Sequence, residues 1–411
     1  MNFILLSYPT ISDALADLIG IYIPLPIQTY GFFVALAFVT AGIIITHEYK
    51  IREKAGLMPP IYKVEEIGKP ATKSELIWTF VIAFLIGFKL IDIIKNYNEF
   101  ASNPQQLLLS PRGSLWGGLL IGIAATAYNW YDKNKQKLPK PKTVIVKAMP
   151  HQFTGNLMVL VGITGLFGAK IFHNLENFDR FLADPIGELF SFSGLTFFGG
   201  LIVGGVAGNI YLKKNNINIY HTIDSSSPAI AAGYAVGRIG CAVSGDGCWG
   251  IPNLSPAPSF IPNWLWSYNY PHNVVNDGIK IADCAGQHCR VLPEGVFPTS
   301  IYETLMMATI FVILIILRKK INFHIKFPGM LFGIYLALQG IERMTIEQIR
   351  VNNKFNLLGL QVTQAEIIAT LLIISGLTII YLTYKFNDKI KEKCKPVEKI
   401  PNIKADIITK E

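Results

Sequence analysis

The chain has 411 residues, 51% of them hydrophobic and 16% charged, against about 25% charged in an ordinary soluble domain. That balance excludes a conventional soluble enzyme and makes the bilayer the expected solvent. The net charge of +9 does not argue for nucleic acid: the Lys and Arg residues sit between apolar runs and in the tail, where the preference of cytoplasmic loops for positive charge explains them.

The opening stretch MNFILLSYPTISDALADLIG lacks the basic start and small-residue cleavage site of a signal peptide, so it is expected to persist in the mature protein. Apolar runs then predict nine spanning helices, over about 30–46, 75–94, 115–131, 155–172, 194–212, 228–244, 299–317, 327–342 and 365–384. The expected fold is an all-α polytopic membrane protein, with residues 1–384 as one integral membrane domain and 385–411 as a basic tail. Lysines and arginines crowd the connections 50–73 and 133–147, the pair Lys213 and Lys214, the run 318–320 and the tail. All of these fall on one face of a nine-span topology. The loop 245–297 holds only Lys280 and Arg290, which places it opposite, with the N-terminus outside and the C-terminus inside.

The second and third runs repeat in the fourth and fifth. LIGFKLIDIIKNY with GSLWGGLLIG matches LFGAKIFHNLENF with GLTFFGGLIVGG at an offset of about 81 residues, aligning Gly87 with Gly168, Lys89 with Lys170 and Gly113 with Gly194. Both copies run in the same direction, so 75–131 reads as a parallel duplication of a helical pair and not as the inverted repeat common in transporters.

Residues that are costly in lipid converge at the outer level. Tyr30 begins the first span, Gly199 and Gly200 lie in the fifth, and Arg238 lies near the end of the sixth with Asp246 just beyond it. FPTSIYE, 297–303, opens the seventh span with Tyr302 and Glu303. The eighth ends in ERMTIEQIR, where Arg343, Glu347 and Arg350 recur near one helical face. Two intramembrane arginines call for an anionic ligand or for paired carboxylates. Arg238 could pair with Asp246 or Glu303, and Arg343 with Glu347, simply to close the bundle. The glycines 237–250 and the pair 199–200 are denser than helix packing needs, and they free backbone N–H groups that can approach an anion.

In chain order TYG (29–31), GLTFFGG (194–200), GRIGCAVSGDGCWG (237–250), FPTSIYE (297–303) and RMTIEQIR (343–350) resemble the signature segments of the prolipoprotein diacylglyceryl transferase family of bacterial inner membranes. The resemblance spans most of residues 27–350 and implies a seven-span core, recovered here by removing 75–131. It also implies an activity: the thiol of a lipobox cysteine in a prolipoprotein signal peptide attacks the glyceryl carbon of phosphatidylglycerol, giving a thioether and glycerol phosphate. It casts Arg238 and Arg343 as phosphate-binding catalytic residues, Asp246 and Glu347 as acids that hold them, and Tyr30 as a substrate-orienting residue. Gly199, Gly200, Gly237, Gly250, Tyr302, Glu303 and Arg350 are then expected to line the lipid site. No cofactor motif is present.

The chain departs from the family pattern at two places. Phe198 stands where many members carry His, and Cys241 stands at the signature Asn. Phe cannot accept a proton, so the base is sought elsewhere, and His272 of the outer loop is the candidate. Cys284 and Cys289 have a spacing that could close a disulfide. A four-thiol zinc site with Cys241 and Cys248 has looser spacing than usual. Cys394 is expected inside and free. Two other readings stay open: a lipid- or anion-binding transporter, and an inactive relative acting as an assembly factor.

Overall fold

The computed structural model describes residues 7–102, 104–190, 196–284, 286–352, 354–357, 360–397, 400 and 406–409. Gly194 of the repeat and signature, and parts of the basic tail, lie outside the described residues. Among the described residues, nine helices of at least 18 residues follow the nine apolar runs. They are α1 Thr29–Lys54, α2 Lys73–Lys95, α3 Leu115–Lys135, α4 Thr154–Glu176, α5 Phe197–Lys214, α6 Ile219–Ser244, α7 Thr299–Ile316, α8 Met330–Glu347 and α9 Gln364–Lys385.

Helices α1, α2, α4, α7 and α9 are long and apolar enough to cross a membrane, and the chain is a multi-pass membrane protein. The other four are diluted by glycine or by charge. Glu342, Arg343 and Glu347 all fall in α8, and Arg238 falls in α6. Capping fixes several boundaries. Thr72 with Glu75 and Thr363 with Glu366 form reciprocal capping boxes at the starts of α2 and α9, and Asn218 caps α6.

The basic connections contain strands that a search for span-length runs could not find. β1 (Ile61–Ile67) pairs antiparallel with β2 (Lys142–Ala148), Ile61 opposite Ala148 and Ile67 opposite Lys142. The alternation of lysine with β-branched residues in KTVIVKA suits such a strand. Two small hairpins, β3 (Ile279–Lys280) with β4 (Arg290–Val291) and β5 (Lys354–Leu357) with β6 (Leu360–Thr363), lie at the other end. β7 (Asp406–Thr409), from the tail, runs parallel to β2. The all-α expectation therefore holds for the bundle and is corrected at its connections. At the sheet end Ile61 and Ala148 pack into a core with Tyr49, Met58, Phe153 and Leu157.

Helix α6 is central, packing against α1 on one side and α7 and α8 on another. Gly233 and Gly240 let α1 approach: a Cβ at 240 would stand 2.6 Å from Phe33 Cβ. On the far side Ala231 and Ala235 of α6 join Met307, Ile310 and Leu314 of α7 and Leu331 and Tyr335 of α8 in a second core.

The two helical pairs aligned in the sequence also pack alike. A Cβ on Gly87 or Gly117 would strike the other's carbonyl, and Gly168 and Gly199 stand in the same relation. Each pair, α2 with α3 and α4 with α5, thus crosses on facing glycines. Lys89 closes the loop end of the first pair by donating to the carbonyls of Leu107, Ser110 and Arg112 at 2.5–2.8 Å.

Candidate functional site

The site grows from the way α6 ends. Gly245 takes a left-handed conformation (φ +63°) and its N–H caps the Cys241 carbonyl, a stop that costs a Cβ-bearing residue strain. Gly247 (φ +90°) turns the chain again, and the Asp246 carboxylate accepts the Cys248 N–H at 3.1 Å. The returning segment is then stitched between two helices. Thr299 and Ser300, at the start of α7, donate to the Cys248 carbonyl at 2.7 and 2.9 Å. Gly250 N–H donates to Phe297 O and Ile251 N–H to Ile349 O, each at 2.9 Å.

This stitching brings three arginines from separate segments onto one carboxylate. Glu303, in the second turn of α7, forms an ion pair with Arg238 Nε at 2.8 Å and accepts hydrogen bonds from Arg343 Nη1 at 3.3 Å and Arg350 Nη1 at 3.1 Å. Arg343 also pairs with Glu347 at 3.0 Å, one turn further along α8, and Glu347 is held by Asn352 Nδ2 at 2.6 Å. Three guanidiniums thus share two paired carboxylates. The Glu303 side chain is 0% exposed while the three arginine side chains keep 15–19%, so the accessible side of the cluster is its positive side. A planar guanidinium held by one edge keeps its other N–H groups for a bidentate phosphate.

The structure assigns partners that sequence spacing left open. Glu303, and not Asp246, takes Arg238, and Glu347 takes Arg343 as anticipated. Asp246 lies with the sulfurs instead: one of its carboxylate oxygens, Cys241 Sγ and Cys248 Sγ are all within 4.8 Å of one another. Arg350 Nη2 donates to Cys248 Sγ at 3.3 Å. Tyr30, on the first turn of α1 and 46% exposed, is near enough to Cys241, Asp246, Cys248 and Arg238 to interact with their charges. Tyr302 reaches away from the arginines, donating to Leu265 O at 2.7 Å.

The glycines divide. Gly199 and Gly250 are required by close packing, the first against Gly168 and the second against Ile349 O, and Gly200 stands close to Gly165 O. At Gly237 a Cβ would meet nothing nearer than 4.0 Å, so this glycine leaves real space one residue before Arg238.

His272 is not brought to the arginines. It sits at φ +58° in the loop, with its N–H on Arg290 O at 2.8 Å and ring Nδ1 against His288 O at 2.9 Å. The loop is closed by a disulfide between Cys284 and Cys289, which removes both from any four-thiol zinc site. Cys241, Cys248 and Cys394 are free thiols. Tyr270 packs against Trp249 in a tilted contact and against Tyr268 edge to face, and burial pushes the Tyr268 phenol up to about 12, so it stays neutral. Among the described residues, Cys241, Asp246 and Cys248 form a donor set that could hold a metal ion, but guanidiniums approach both sulfurs and their charge opposes a cation there.

Two neighbours of Arg238 escaped the sequence reading. Tyr234, one turn earlier, accepts Arg238 Nη2 at 2.9 Å and lies under the guanidinium, 5.0 Å from ring centroid to Cζ; its i, i+4 spacing was the available signal. Glu342, 1% exposed, accepts from Gln339 Nε2 at 3.0 Å.

Residues 139–382 match the model of the family described as prolipoprotein diacylglyceryl transferase. Proteins named phosphatidylglycerol–prolipoprotein diacylglyceryl transferase are similar to this chain. That of Leptospira interrogans is 30% identical over 219 residues, 47% of this chain and 61% of its own length. That of Clostridioides difficile is 28% identical over 241 residues, 58% of this chain and 82% of its own. That of Aeromonas hydrophila is 27% identical over 297 residues, 71% and 95%. The chain thus spans about three fifths of the Leptospira relative and nearly all of the Aeromonas one.

Proposed function

Because the chain belongs to the prolipoprotein diacylglyceryl transferase family, we propose that it transfers the diacylglyceryl group of phosphatidylglycerol to the lipobox cysteine of prolipoproteins. The single observation that carries this reading is the Glu303 cluster. Its buried carboxylate gathers three guanidiniums that stay 15–19% exposed while the carboxylate itself is 0% exposed, a concentration of accessible positive charge that suits a phosphodiester headgroup. The lipobox sulfur would attack the glyceryl carbon, forming the C–S bond. The C–O electrons pass to the departing glycerol phosphate, whose added charge the arginines stabilise more strongly than that of the diester. Gly237 leaves room for the glyceryl unit beside Arg238.

The site lies at the end of the bundle away from the basic strands. The charge pattern then supports a nine-span topology with the site at the outer leaflet of a bacterial cytoplasmic membrane, the N-terminus outside and the basic tail inside. Residues 1–384 form the membrane domain in this reading, and α2–α3 are an addition to a seven-span core.

The purified protein, incubated with headgroup- and acyl-labelled phosphatidylglycerol and a lipobox peptide, should move the acyl label to the peptide cysteine and release labelled glycerol phosphate. Lipid binding without transfer would mean an inactive assembly factor. Movement of intact lipid between leaflets would mean a transporter.

A further inference from the structure

If the chain is a transferase, the lipobox thiol must lose a proton, and the three-arginine cluster offers no acceptor. Guanidiniums do not accept protons, and both carboxylates paired with them, Glu303 and Glu347, have side chains 0% exposed. His272 is tied into the loop. Two sulfurs, however, stand at the edge of the cluster. Cys248, half-buried and free, receives Arg350 Nη2 at 3.3 Å. Its sulfur lies within 4.8 Å of Cys241 Sγ, which Arg238 Nη1 approaches at 3.8 Å. A thiolate is the form of sulfur that such neighbours stabilise.

We propose that Cys248 is the proton acceptor for the lipobox thiol, with Cys241 as its positioning partner; this rests on the transferase reading. The groups facing Cys248 are Arg238 and Cys241 from α6, Asp246 from the turn, Arg350 beyond α8, Tyr30 from α1 and Tyr270 from the loop. The neighbouring Cys241 thiol is the largest influence lowering the Cys248 thiol below its ordinary value; Arg238 and Arg350 add to it, and burial and Asp246 oppose it.

The step balances. The Cys248 thiolate takes the proton of the substrate thiol and becomes neutral. The freed substrate sulfur pair forms the C–S bond, the C–O pair leaves on glycerol phosphate, and Cys248 returns its proton to that phosphate or to water. Attack on the lipid by Cys248 itself would instead give an enzyme thioether, which a second thiol does not readily displace.

The test measures kcat/KM of the full-length protein with phosphatidylglycerol and a lipobox peptide between about pH 6 and pH 10, across the ionisation of a free thiol near 8.5. Cys248→Ala and Cys248→Ser should lose about 10²-fold or more at neutral pH. The deficit should shrink to under about tenfold at the alkaline end, where the peptide thiol ionises unaided. Cys248→Asp should recover part of the rate, and Cys241→Ala should move the acidic limb to higher pH. Lipid binding by each variant reports whether it is folded.

A lipid-binding Cys248→Ala that is fully active, or equally impaired at every pH, would overturn the proposal. So would a wild-type protein that transfers at full rate while Cys241 and Cys248 resist thiol labelling until reductant is added. A wild-type protein with no transfer at any pH overturns the transferase reading and this step with it. Wild-type transfer alongside an unimpaired Cys248→Ala overturns this step alone.

Discussion

The protein builds the same device twice, at opposite ends of the bundle, and the two differ in access. At the loop end Glu303 holds Arg238, Arg343 and Arg350. At the sheet end Glu48 holds Arg52 at 2.8 Å and Arg318 at 2.9 Å, joining α1 to the chain just after α7. Glu48 and Arg52 are 0% exposed and the Arg318 side chain only 7%, so that cluster is nearly sealed. In the loop-end cluster the carboxylate is sealed and the guanidiniums are not. Burying charges costs several kcal/mol per ion and is repaid only by good pairing, so both clusters are held by mutual need. Only the open one can exchange part of that pairing for a ligand. Charge in a membrane protein therefore marks a site when its unburied side carries one sign.

Breaking the open cluster should have the largest effect. Glu303→Gln is expected to lower transfer about 10²–10³-fold, through loss of arginine positioning, in the labelled-lipid assay. Glu48→Gln should leave transfer per folded molecule unchanged while costing about 3–5 kcal/mol of stability, since it strands two buried guanidiniums. Unfolding in denaturant should show this, and an equal loss of specific activity would erase the distinction between the clusters. Arg238→Lys keeps the charge but loses the fork, and should cost about 10–100-fold in kcat/KM for the lipid.

Glycine substitutions should have smaller effects. Gly199→Ala should destabilise by about 1–3 kcal/mol through overpacking. Gly237→Ala should leave the melting temperature nearly unchanged, so any loss of lipid binding there reports occupied space.

The smallest expected effect is in pH. His324, between α7 and α8, is held down to about 4 by burial and then by Arg52 and Arg318. The folded protein prefers it neutral, so this contribution to stability is complete above the unfolded value near 6.5 and is lost as pH falls toward 4. His324→Gln should flatten the acid side of a thermal-stability profile, with no matching change in the loop-end cluster.

The helices were legible because a bilayer demands long apolar runs, and such runs are hard to mistake. The strands β1 and β2 were not, since seven residues in a lysine-rich connection carry no span signal. Arg238, Arg343, Glu303 and Glu347 could be found from the order of their motifs. The i, i+4 pairing of Arg343 with Glu347 was legible too, but the choice between Asp246 and Glu303 for Arg238 was not, because it depends on the left-handed turn at Gly245, which carries Asp246 past the end of α6 and leaves Arg238 to Glu303. His272 was suggested only by its side of the membrane, a criterion blind to the His288 carbonyl that occupies its ring. The grouping of Cys248 with Arg350 was hidden for a similar reason: residues 102 positions apart meet only after the 248–251 segment is stitched between α7 and α8.

The pairing of β1 with β2 bears on how α2 and α3, the proposed addition, join the rest of the chain. Ile67 faces Lys142 across adjacent strands, so the polypeptide leaves for α2 and returns from α3 through neighbouring doorposts. A hairpin entering and leaving at one doorway can be spliced in or out without rerouting anything else. If α2 and α3 are an addition, as proposed, the pair is a cassette and the sheet is its socket.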